Sequence, residues 1–81
     1  MDKAQIQKIA DFLIEVREAI CEGDGDGTLR LHLTALYQLI QRLMDATFAA
    51  QDQELKVLLA SLEYEARLCK QEIEGRLGVR N

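Results

Sequence analysis

The chain has 81 residues, 48% of them apolar and 30% charged, with a formal net charge of −4. That length allows one domain, and the balance is that of a folded protein and not of a disordered one. The acidic sign, with no basic face or run, excludes the usual electrostatic footprint of a nucleic-acid or anionic-lipid binder.

Residues 2–21 are expected to form the first helix. Asp2 and Gln5 have the spacing of a capping box, in which each side chain satisfies the other residue's backbone N–H. Ile6, Ile9, Leu13, Val16 and Ile20 then recur in steps of three and four, a continuous apolar stripe on one helical face. Phe12 and Ala19 widen it, and Ile14 lies off it. The segment Glu22-Gly23-Asp24-Gly25-Asp26-Gly27 reads as a turn, with Thr28 or Asp26 capping the second helix.

Residues 29–48 are expected to form that second helix, on a stripe of Leu29, Leu33, Leu36, Ile40 and Leu43. Leu39, Met44 and Phe48 add one flank, and Leu31 and Tyr37 another. This most apolar helix should lie between the others or carry a face for a partner. The third helix is expected over 52–77, on Leu55, Leu59, Leu62, Ala66, Cys69, Ile73 and Leu77. Glu63–Arg67 and Glu72–Arg76 have favourable i,i+4 spacing. Lys70, Arg76 and Arg80 put positive charge toward the negative end of the helix dipole, and Gly78 is a suitable stop.

Thr47–Asp52 carries no Gly or Pro, but Thr47 is a mediocre helix former and Asp52 can cap a new helix. A break there is expected. It makes the chain an all-α three-helix bundle, or a helical hairpin with an additional N-terminal helix, in one domain spanning 1–81. Without the break, 29–77 would be a rod of roughly 70 Å, which needs a second chain to bury its stripe.

No residue set carries catalytic chemistry. His32 is the only His and has no nucleophile or carboxylate partner fixed by spacing. Ser61 is the only Ser and lies inside a helical run without a strand-turn-helix elbow. Glu22-x-Asp24-x-Asp26-Gly27 resembles the first half of an EF-hand loop, but Leu33 stands where the bidentate Glu is required. Cys21 and Cys69 lack metal-ligand spacing and read as reduced, half-buried thiols. No enzyme activity, cofactor or metal is expected. No apolar run approaches the roughly 20 residues of a membrane span, and the N-terminus lacks a secretory signal's apolar core, so the expected location is cytoplasmic.

The apolar residues exceed one core stripe per helix. The surplus comprises Phe12, Ile14, Leu31, Leu39, Met44, Phe48, Val57, Leu58 and Leu68. A second apolar face on a small bundle points to a groove for a protein partner or to a homodimer seam. Leu31, Leu39, Met44, Phe48, Leu58 and Leu68 are the candidate partner-binding residues.

Gly27–Asp52 resembles the flagellin export chaperones, in which a Gly-containing loop precedes a helix with an Asn-Leu-x-x-Leu-Tyr element and an Arg-Leu-x-x-Ala-Asn end. Leu33, Leu36 and Tyr37 match the first element, and Arg42, Leu43 and Ala46 the second. His32 and Thr47 stand where that family has Asn. A looser resemblance is to the small acidic co-chaperones of injectisome needle subunits, which use a helical hairpin. Both resemblances imply a chaperone of a type III-like export system. Its partner would be a secreted or filament-forming subunit, a co-chaperone, or both.

Overall fold

The computed structural model describes residues 1–78 and contains three helices, α1 (Lys3–Glu22), α2 (Asp26–Ala49) and α3 (Gln53–Leu77). All regular structure among the described residues is helical, and the helices pack as one bundle measuring 39 × 25 × 15 Å. The positive charge expected from Arg80 lies outside the described residues.

Asp2 caps α1 as its spacing predicts. The Gln5 N–H donates to Asp2 Oδ1 at 2.8 Å, and the Asp2 N–H donates to Gln5 Oε1 at 3.0 Å. The helix ends at Gly23, with φ +72°, where the Asp24 N–H donates to the Ala19 carbonyl and the Gly23 N–H to that of Ile20. This pair of bonds satisfies carbonyls that the helix end would otherwise orphan, and the left-handed conformation suits Gly.

The turn is shorter than expected, because α2 begins at Asp26. Gly25 is its N-cap without a side-chain bond, and Gly27 lies inside the first turn. Neither Thr28 nor Asp26 caps this helix. Asp26 contributes its charge to the first turn, where the dipole favours an anion. The acidic alternation therefore runs from a helix end through a turn into a helix start and does not encircle one point.

The break near Thr47 is present, so the long rod does not form. Thr47 Oγ1 donates to the Leu43 carbonyl at 2.7 Å, and Ala50 leaves the helix with φ −68° and ψ 135°. Asp52 Oδ1 then accepts from the Glu54 N–H at 3.1 Å and starts α3. A side chain competing for a helical carbonyl, followed by an Asp cap, ends one helix and begins another without Gly or Pro.

The expected stripes meet inside the bundle. Val16, Leu36, Leu43, Leu59, Ala66 and Ile73 are wholly buried, with Ile9, Leu13, Ile20, Leu29, Leu33, Ile40 and Cys69 around them. The most extensive packing joins α2 to α3, and α1 rests more on α3 than on α2. Tyr37 lies opposite Glu74 and, seven residues on, Met44 lies opposite Arg67, seven residues back, so α2 and α3 run antiparallel. Ala10 to Glu18 face Leu62 and Glu65, whereas Ile20 and Cys21 face Leu68 to Arg76, so α1 runs parallel to α3.

Candidate protein-binding surface

The six candidate binding residues do not share one face. Leu39 is a core residue, only 7% exposed. The reason is tertiary. Its flank of α2 faces α1, where it borders the same cleft as Ile9 and Phe12. Phe12 also meets His32 there, edge to face with ring centroids 5.9 Å apart, so the only His packs against an aromatic ring. Leu39 is thus withdrawn from the binding surface.

The other five remain exposed, in different places. Leu31, 75% exposed, stands away from the buried stripe of α2. Met44 and Phe48 follow Tyr37 at seven and eleven residues, which aligns the three along one flank of α2, so the expected grouping of Met44 and Phe48 with Leu39, and of Tyr37 with Leu31, is corrected. Phe48 is 92% exposed at the end of that row. Such exposure of a large aromatic leaves most of its apolar area in water. On α3, Val57, Tyr64 and Leu68 repeat the same spacing and are likewise exposed, turned away from the stripe that meets α2. Leu58 is exposed beside this second row.

Polar contacts frame the first row. Arg67 Nη2 lies 3.2 Å from Met44 Sδ, and Arg67 Nε donates to Glu63 Oε2 at 2.9 Å, the expected i,i+4 pair. Glu72 and Arg76 form no such pair among the described residues and instead border a groove. Tyr37 donates to the buried carboxylate of Glu74, which Lys70 also approaches.

An open groove runs along the junction of α1 and α3. Ala10, Leu13 and Ile14 face Leu62 in one stretch; Ile20 and Cys21 face Leu68 and Cys69 in the next, of about 850 Å³. Arg17 and Glu65 form an ion pair across it. Burial pushes the Cys69 thiol up from its ordinary pKa, opposed by the nearby Arg17 guanidinium. Sequence periodicity did not reveal this groove. It depends on which helix lies beside which; Tyr64 and Cys21 stand on no expected stripe, and the periodicity that puts Cys69 on the α3 stripe does not show that it borders a groove.

Ser61 Oγ donates to the Val57 carbonyl at 2.9 Å, a bond internal to its helix. Among the described residues no group of three or more His, Cys, Asp or Glu side chains is placed to hold a metal ion. No described helix is long and apolar enough to cross a membrane. What the surface offers is exposed apolar side chains, the property of a protein-binding face. Comparison with protein-family models, with characterised proteins and with solved structures finds no match to this chain.

Proposed function

We propose that this chain is a cytoplasmic chaperone or co-chaperone of a type III-like export system, flagellar or injectisome, that keeps a helical, filament-forming subunit soluble before export. One observation carries the reading. Two rows of exposed apolar side chains, Tyr37–Met44–Phe48 and Val57–Tyr64–Leu68, share one helical spacing on a protein whose core is complete without them. An amphipathic helix presents apolar residues at this same spacing, so its face is matched by either row. The client's polymerisation contacts are apolar helical faces, and a substitute face masks them. The resemblance of Gly27–Asp52 to flagellin export chaperones supports the same reading.

Site-specific photo-crosslinking in the native host tests it, with the photoreactive residue at Phe48 in one strain and Leu68 in another. The expected product joins this chain to a helical segment of an exported filament subunit. Cross-links solely between copies of this chain would assign the rows to a homodimer seam and overturn the chaperone reading. Absence of any cross-link at both positions would also overturn it.

A further inference from the structure

The two cysteines sit on different helices, 48 positions apart in the chain, yet border one groove. Their register follows from a neighbouring contact. Arg17 on α1 pairs with Glu65 on α3, and the two helices run in the same direction. One turn further along each helix lie Cys21 and Cys69, one on each wall of the groove. A disulfide needs Cα atoms within about 7 Å, and axes of packed helices lie about 8–10 Å apart, so a small approach of α1 to α3 brings residues on opposing walls within that reach. The groove is open between them, and α1 is the helix with the lesser packing, so little stands against a small approach.

We infer that Cys21 and Cys69 form a dithiol site that reacts with a low-molecular-weight disulfide of the glutathione class and closes to an internal disulfide joining α1 to α3. Cys21 is exposed and Cys69 is buried, which sets the order. The Cys21 thiolate attacks one sulfur of oxidised glutathione. A Cys21–glutathione bond forms, the glutathione S–S bond breaks, and one glutathione thiolate leaves. The Cys69 thiolate then attacks Cys21 Sγ and expels the second glutathione thiolate. The two protein thiols are oxidised, the small disulfide is reduced, and the two thiol protons end on the two glutathiones. Burial disfavours the Cys69 thiolate, which slows this second step.

The test equilibrates reduced wild-type protein with oxidised and reduced glutathione, quenches with acid, alkylates the remaining thiols and weighs the intact chain. The expected product is a monomer that has lost two hydrogens and takes up no alkyl group. The Cys69→Ala variant should stop at a glutathione adduct on Cys21. A wild-type adduct on Cys21 with Cys69 still open to alkylation after unfolding overturns the inference. So does a disulfide-linked dimer, or wild-type protein that stays reduced.

Discussion

The phenol of Tyr37 on α2 donates a 2.7 Å hydrogen bond to the Glu74 carboxylate on α3. Lys70 Nζ lies 3.3 Å from the same carboxylate and 5.6 Å from the centre of the Tyr37 ring. Glu74 is only 7% exposed, and a buried carboxylate is tolerated when its oxygens are paired. Tyr37 is thus both part of an exposed apolar row and the cover for a buried charge. The hydrogen bond to Glu74, then burial, then the carboxylate's charge raise the Tyr37 pKa above its ordinary value of 10.0. A group whose folded pKa is raised adds stability below its unfolded pKa and loses it as pH rises through the folded value. The expected result is a stability difference between wild type and Tyr37→Phe that is largest near neutrality. It should shrink above the ordinary tyrosine pKa. Urea midpoints of both proteins across that range measure it, with Lys70 common to both.

Two glycines should respond oppositely to the same methyl group. At Gly23 and Gly75 an added Cβ meets nothing within 4 Å, so backbone conformation decides the outcome. Gly23 has φ +72°, and Gly23→Ala is expected to destabilise by about 1–2 kcal/mol. Gly75 is helical, and Gly75→Ala is expected to stabilise by about 1 kcal/mol. Equilibrium urea unfolding followed by circular dichroism distinguishes the signs.

Leu39 and Leu31 separate core from surface on the same helix. Leu39→Ala removes a buried side chain and should cost about 2–5 kcal/mol. That is a large part of the total for a domain with the usual reserve of about 5–15 kcal/mol. Leu31→Ala, at a side chain 75% exposed, should stay within about 0.5 kcal/mol. Similar losses at the two positions would contradict the packing of α1 against that flank of α2.

Phe48→Gln and Leu68→Gln should leave the helical signal intact and move stability by no more than about 0.5 kcal/mol, because both side chains are exposed and Gln is a good helix former. Under the proposed function each should weaken cross-linking to the client from a probe within its own row, at Met44 for Phe48→Gln and at Tyr64 for Leu68→Gln. Retained cross-linking in both variants would detach the two apolar rows from binding.

An exposed ion pair provides a contrasting control. Arg17 and Glu65 join α1 to α3 with both side chains substantially in water, so solvent screens the attraction. Arg17→Ala is expected to change stability by less than about 1 kcal/mol in urea unfolding. A larger loss would mean that the bridge, and not the apolar stripe, holds α1 in place.

The helices were legible because their cause is local. Steps of three and four put Ile9, Leu13, Val16 and Ile20 on one face whatever lies opposite, and Asp2, Asp52 and Gly78 mark ends by chemistry within a few residues. The start of α2 lies three residues before the expected one, since Gly25 can cap without a side-chain bond and Asp26 serves equally in a turn or a first helical turn. Binding residues were less legible because exposure is not local. Leu39 and Met44 are both apolar flank residues of α2, and only the placement of α1 buries one and leaves the other in water. The same placement puts Cys21 and Cys69 on one groove. Helical periodicity determines which side chains share a face. The direction and neighbours of each packed helix decide what that face meets, and those depend on contacts between residues tens of positions apart.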